Sequence, residues 1–295
     1  KLHLGTRFVA ALGAILAQNR KRKDPASGRD SGETYVHALG FAPETGVKLI
    51  GYQDCRAAFL GGGTLADPDA LDRALRAPDD QGLKYSFDPI ATQRLKVALT
   101  PSAKEEIQCL DGYAIGDTGV LDLLRNLPGF GAPPPAIDKP VRHAFPPDGR
   151  ELELGIDTPQ PWSHMLANPL GFGVILHNDG ACYSFMGNSQ QNGLTPFSFD
   201  APTTQNPGQA IYLMDLESGE RYSPTLVPLR DDQTRHRLRY GLGYAGFRAV
   251  KGPLELELVL FVPPDAPVQV HWLRIRNSSQ SPRRLRLVSF AQMVL

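Results

Sequence analysis

Apolar and polar residues alternate with a period of two over much of the second half of this 295-residue chain. Residues 151–156 and 283–288 alternate, and residues 268–276 set Val268, Val270 and Trp272 two apart before continuing through Leu273 and Ile275. Residues 254–262 are rich in strand formers and stop at Pro263-Pro264. Residues 174–177 and 181–185 flank Asn178-Asp179-Gly180. That is a hairpin signal, because Asp-Gly supplies the positive φ a tight turn needs. Residues 210–214 and 221–223 flank a second turn, Glu217-Ser218-Gly219. Strands at this spacing, punctuated by Gly and Pro, predict a mainly β fold: a large antiparallel β-sandwich with a few short helices.

The first 127 residues are more mixed. Phe8, Val9, Leu12, Ile15 and Leu16 follow helical spacing, with Gly13 against it. Residues 33–41, 48–53, 90–99 and 105–110 read as strands. Residues 68–75 read as a short helix capped by Asp67, and residues 120–127 as another. From Pro128 to Pro140 the chain is dense in Pro and Gly, which favours a stiff, extended connector. The expected organisation is therefore a partial sandwich over 1–127, a linker over 128–147 and a second sandwich over 148–295.

Hydrophobic residues make up 41% of the chain, enough to bury a sizeable core. Lys+Arg and Asp+Glu are both 31, so nothing favours electrostatic capture of nucleic acid or an anionic membrane surface. Cys55, Cys109 and Cys182 lie far apart and make no metal spacing. They are expected to be reduced, buried thiols of a cytoplasmic protein. The longest apolar run, residues 8–17, is about half of a membrane span. The chain opens on Lys1 and closes inside an apolar run, as expected for a piece of a longer protein.

One stretch carries a resemblance. Thr158-Pro159-Gln160-Pro161-Trp162-Ser163-His164 leads through Asn168-Pro169 to Gly187-Asn188-Ser189-Gln190-Gln191-Asn192-Gly193-Leu194-Thr195-Pro196-Phe197. Asp148-Gly149-Arg150-Glu151 precedes it. After it come Pro207-Gly208-Gln209-Ala210-Ile211-Tyr212-Leu213, Gly243-Tyr244, Phe261-Val262-Pro263-Pro264-Asp265-Ala266-Pro267-Val268 and Leu273-Arg274-Ile275-Arg276-Asn277. In this order they resemble the N-terminal β-sandwich of the inverting glycoside phosphorylases (cellobiose and chitobiose phosphorylases), as found also in cyclic β-1,2-glucan synthases. The first half resembles the same kind of sandwich more weakly, through Arg56, Phe59-Leu60-Gly61 and Phe87-Asp88-Pro89-Ile90. The chain departs from the family pattern where Gln190, Gln191 and Gly193 replace charged residues, at Phe197 and Phe199, and at Gln292-Met293.

The resemblance implies a supersandwich of galactose-mutarotase-like type that contacts carbohydrate without holding the catalytic acid, which sits in a helical (α/α) barrel. Its implied partners are a β-glucan or gluco-oligosaccharide and that barrel, in the same protein or a second subunit. Inorganic phosphate would be a co-substrate of a phosphorylase parent; no cofactor and no metal are expected. The implied location is cytoplasmic, including the cytoplasmic part of an inner-membrane synthase, without direct membrane contact. A free-standing carbohydrate-binding protein and a purely structural support domain are the alternatives. The two halves form either one sandwich in permuted order or two truncated ones in tandem.

Sugar recognition needs ring faces for C–H surfaces and amides for hydroxyls. Trp162, Asn168, Asn188, Gln190, Gln191, Asn192 and Phe197 are the candidate substrate-binding residues on that ground. No residue is assigned a catalytic role. Asp215 with Glu217, and Asp231 with Asp232, read as solvated turn residues, and Glu255 with Glu257 as the solvent face of a strand. His164 and His177 lack ligand spacing. Gly61-Gly62-Gly63-Thr64 lacks the lysine of a phosphate loop.

Overall fold

A computed structural model describes residues 4–19, 32–42, 45–79, 82–85, 88–126, 150–156, 158, 162–189, 192–196 and 207–294. Gln190, Gln191, Phe197, Phe199 and the 128–147 segment lie outside them. The described residues build an antiparallel sandwich with two short α-helices.

The strands of the first half are β1 (Leu4–Val9), β2 (Ala14–Asn19), β3 (Glu33–Phe41), β4 (Val47–Cys55), β5 (Lys84–Tyr85), β6 (Pro89–Leu99) and β7 (Lys104–Ile115). The second half supplies β8 (Glu151–Leu154), β9 (Ser163–Ala167), β10 (Phe172–His177), β11 (Cys182–Met186), β12 (Gln209–Asp215) and β13 (Arg221–Tyr222). It continues with β14 (Arg235–Gly241), β15 (Tyr244–Lys251), β16 (Leu254–Phe261), β17 (Val268–Asn277) and β18 (Arg283–Gln292). Helix α1 is Arg56–Leu60 and α2 is Gly116–Asn126.

One sheet runs β5-β1-β2-β3-β7-β17-β16-β15-β14-β8, a second β13-β12-β18-β6-β4, and a third β11-β10-β9. The two stretches set out above as separate units are thus neighbours in both larger sheets. β7 pairs with β17 from Gly112↔Val268 to Lys104↔Arg276, and β6 with β18 from Leu99↔Arg283 to Ile90↔Gln292. Of the two arrangements open from sequence, the strands form one sandwich. No separate tandem pair is present among the described residues.

Period-two patterning explains the layers. Leu254, Leu256, Leu258 and Leu260 of β16 point into the main core, where Leu95 and Val97 of β6 and Leu285 and Leu287 of β18 meet them from the facing sheet. Each such leucine contributes about 1.5–3 kcal/mol by leaving water. The intervening Glu255 and Glu257 face outward and pair with Arg248 (2.7 Å) and Arg274 (2.7 Å). Helix α2 covers the outer face of the large sheet, placing Val120 against Val36, Leu110 and Val268. Helix α1 and the turn at Asp69–Leu71 cover the outer face of the second sheet, with Phe59 stacked on Phe290 at 5.0 Å.

Two local expectations are corrected. Residues 8–16 form a hairpin, not a helix: β1 and β2 pair from Val9↔Ala14 outward, and Gly13 takes φ +56° in the connection. Both faces of this hairpin are covered, so apolar residues fall at helical and strand spacings alike and period alone misleads. Residues 68–75 form only the 3-10 turn Asp69–Leu71, whose N-cap is Pro68 and not Asp67. Helix α1 and strands β9, β14 and β15 had no place in the sequence reading.

Residues 150–294 expressed without residues 1–126 should expose the unpaired edges of β17 and β18 and aggregate. Co-expression of the two stretches should restore a soluble complex. A monomeric 150–294 product that melts cooperatively contradicts the shared-sheet architecture.

Candidate functional site

The third sheet collects part of the predicted site at one end. β9 runs antiparallel to β10 with Ser163 opposite His177 and Ala167 opposite Gly173. Trp162 therefore lies at one end of β9 and Asn168 at the other, about 20 Å apart at the rise of an extended strand. Trp162 is 46% exposed. Its carbonyl accepts from Asn178 N–H (3.0 Å) and the Tyr240 hydroxyl (2.9 Å), while its N–H donates to Asn178 Oδ1 (3.0 Å). Asn188 and Asn192 sit at the Asn168 end. Asn192 N–H donates to Asn188 O (2.9 Å), and Gly187 N–H donates to Gly171 O (2.7 Å). Asn188 is exposed and Asn192 half-buried. The nearby rings of Tyr183 and Phe185 are buried; Phe185 lies across Gly173, where any Cβ would meet the ring.

Asn168 acts as a clip. Its Nδ2 donates to Pro263 O (2.8 Å) and Ala266 O (2.7 Å), while its Oδ1 accepts from the N–H groups of Leu170 (3.1 Å) and Phe172 (3.2 Å). An amide offers two donors and two acceptor positions, so the protein itself occupies all four.

The two turns it joins wall a surface groove of about 440 Å³. Leu170 and Met186 line one side, and Asp265, Ala266 and Pro267 line it from the β16–β17 turn. Tyr113, Ile115, Asp122 and Leu123 complete it from β7 and α2. Ile115 and Leu170 are 64% and 47% exposed, and Asp122 and Asp265 are exposed too. Apolar walls with two carboxylates suit an apolar ring face that carries hydroxyl donors.

Asp215, Glu217 and Asp231 are each paired with a cation. Asp215 is fully buried, not solvated: its Oδ1 accepts from Glu217 N–H (2.9 Å) and Ser218 N–H (3.3 Å), and its Oδ2 pairs with Arg283. The Asp was read as solvent-facing because its turn sequence is polar, but β18 brings Arg283 over it. Glu217 turns outward to Arg284 (3.5 Å). Asp231 pairs with Lys251 at 2.8 Å.

Sequence reasoning missed a polar cluster in the core. β3, β7 and β17 are adjacent, with His37 opposite Asp111 and His271 opposite Cys109. Cross-strand partners and residues two apart share a face, so all four side chains point the same way. His37 Nδ1 is 2.8 Å from Asp111 Oδ1, and His37 Nε2 is 2.9 Å from Ser289 Oγ on the facing sheet. The Tyr35 hydroxyl also donates to Asp111. Gln269 Nε2 lies 2.7 Å from His271 Nε2 and donates to Gln209 Oε1 at 2.8 Å. Burial alone would raise the Asp111 pKa, but His37, His271 and Tyr35 outweigh it and hold the carboxyl below its usual range. Burial pushes the His271 imidazole down to about 4 and the Cys109 thiol well up. The only signal available from sequence was three polar pairs on otherwise apolar strands. Cys109 and Cys182 are buried free thiols and Cys55 is half-buried.

No described helix is long and apolar enough to cross a membrane.

Replacing Asn168 with Ala removes two bonds to half-buried carbonyls and should cost about 1–3 kcal/mol. Denaturant melts of N168A and N168D measure it. An unchanged midpoint contradicts the clip.

Comparison with known proteins places this geometry. The Glycosyl hydrolase 94 supersandwich domain profile matches residues 1–127 and 151–295. The cyclic beta-(1,2)-glucan synthase NdvB of Rhizobium meliloti (strain 1021) is 36% identical over 155 residues, 51% of this chain and 5% of that protein. The N,N'-diacetylchitobiose phosphorylase of Vibrio proteolyticus is 31% identical over 151 residues, 50% of this chain and 19% of its own length. The solabiose phosphorylase of Paenibacillus borealis is 23% identical over 152 residues, 51% of this chain and 20% of its length. Each alignment thus covers a fifth or less of the relative. With nearly its whole length matched, and with the antiparallel sandwich that the match requires, the chain belongs to the glycosyl hydrolase 94 supersandwich domain family.

Proposed function

We propose that this chain is the non-catalytic, carbohydrate-contacting sandwich of a protein of the glycoside-phosphorylase or cyclic β-glucan-synthase kind, and that it works beside a helical catalytic barrel. The observation that carries the reading is the family match over nearly the whole chain, since the relatives named above are a glucan synthase and phosphorylases. The non-catalytic part rests on the carboxylates. Asp215, Asp231, Glu255 and Glu257 are each spent on an Arg or Lys. Each is therefore engaged with a cation and not free to deliver a proton to a glycosidic oxygen.

The contact surface is the groove and the adjoining Asn188–Asn192 loop. Leu170, Met186 and Tyr113 offer apolar and aromatic surface, and Asp122 and Asp265 offer acceptors to sugar hydroxyls. The exposed Ile115 and Leu170 also suit packing by a helical neighbour. A cytoplasmic setting, in or beside an inner-membrane synthase, fits the free thiols.

Titration with β-linked gluco-oligosaccharides, followed by NMR, should show millimolar binding, roughly 4 kcal/mol. D122N with D265N, and N188A with N192A, should each weaken it several-fold with little change in melting temperature. No binding by the wild type, or variants that bind as well as it does, sinks the contact surface.

Incubated with β-glucan and inorganic phosphate, the isolated chain should release no glucose 1-phosphate. Turnover that follows the protein peak through repurification overturns the non-catalytic reading.

A further inference from the structure

We propose that His37, Cys109, Asp111 and His271 form a tetrahedral zinc-binding centre in the middle of the sandwich. The ligand atoms of His37, Cys109 and Asp111 lie within 4.8 Å of one another. Cys109 Sγ is 3.9 Å from His37 Nδ1 and 4.0 Å from Asp111 Oδ2, and His271 Nδ1 is 3.9 Å from Asp111 Oδ2. Zinc bonds of about 2.0–2.3 Å imply ligand-to-ligand edges of roughly 3.2–3.8 Å in a tetrahedron. With Asp111 ligating through Oδ2, the three edges of 3.9–4.0 Å would close by a few tenths of an ångström, and the 2.8 Å contact of His37 Nδ1 to Asp111 Oδ1 would be given up. His271, which is not within 4.8 Å of all three other ligands, would swing in further as the metal binds.

The surroundings are those a ligand set needs. Each imidazole presents Nδ1 to the cluster and has its Nε2 fixed from behind, by Ser289 on His37 (2.9 Å) and by Gln269 on His271 (2.7 Å). Such outer partners orient the ring and set its tautomer. For His271 to ligate through Nδ1, its Nε2 must donate, so Gln269 must present oxygen. Gln269 Oε1 and Gln209 Nε2 have no hydrogen-bond partner as placed. Exchanging O and N in both amides lets His271 Nε2–H and Gln209 Nε2 donate to Gln269 Oε1 through the same two contacts. Tyr35 steadies the carboxylate.

Charge balance agrees. One thiolate, one carboxylate and two neutral imidazoles cancel a divalent ion, so the filled centre brings no net charge into the core. The thiol proton leaves to solvent as the metal enters. The cluster is almost wholly buried, so the ion is taken up during folding.

The test is expression of the whole chain in minimal medium supplemented with zinc or, separately, with cobalt. Elemental analysis of the folded protein should give about one metal per chain. The cobalt form should show a thiolate-to-cobalt charge-transfer band. Cys109→Ser should remove that band, His271→Gln should bring metal down to background, and Ser289→Ala should lower affinity about 10–100-fold. Metal at background in folded wild-type protein overturns the proposal. So does metal retained at the wild-type level in both ligand variants, because it is then held elsewhere. Should the variants fail to fold, the band in the wild-type cobalt protein decides: present, it supports a Cys-ligated centre, since Cys55 and Cys182 lie outside the cluster; absent, it refutes it.

Discussion

The pairing of β7 with β17 governs this molecule. Nine residue pairs, Gly112↔Val268 through Arg276↔Lys104, join strands that lie more than 150 residues apart in the chain. Without that ladder the ten-stranded sheet falls into two five-stranded pieces, each with a raw edge at its centre. The facing sheet repeats the device at β6 and β18, again one strand from each half. Register is fixed by what each face buries: slipping β17 by one residue would turn Leu273 and Ile275 away from the core and bring Arg274 into it.

The buried polar cluster sits at this seam. Tyr35 and His37 come from β3, Cys109 and Asp111 from β7, Gln269 and His271 from β17, and Ser289 from the opposite sheet. A carboxylate this deep is tolerable only when partners replace its lost hydration, and His37 with Tyr35 does so. The same directionality ties the cluster to the register, since slipping β3 against β7 by one residue would turn His37 to the opposite face from Asp111. The groove lies where the end of β7, α2 and the β16–β17 turn meet, so it too depends on the seam.

The strands with clean alternation were legible. The stretches 254–262, 268–276 and 283–288 fall on β16, β17 and β18, because one face of each packs inward and the other meets solvent or arginines. The Asn178-Asp179-Gly180 turn was legible too, with Gly180 at φ +98° between β10 and β11. The β1–β2 hairpin was not, since core lies on both its faces. Pairing between the halves was invisible because no local pattern encodes a long-range partner. The family resemblance covered the second half strongly, and the family match extends through the first. Of the proposed contact surface, Asn188 and Asn192 are singled out in the sequence by their run of amides. The role of Asn168 could not be read there, because its partners Pro263 and Ala266 are remote in sequence. Asp122 and Asp265 drew no attention, each being one acidic residue on an otherwise ordinary element.

Hydrogen exchange of the intact chain, followed by mass spectrometry, tests most directly whether the seam makes one cooperative unit. Peptides spanning β7 and β17 should be the slowest to exchange, open with a single shared free energy, and do so together with β6 and β18. If the strands of residues 1–126 instead open at a markedly lower free energy while β17 and β18 stay protected, the two halves are independent and the single-sandwich account is wrong.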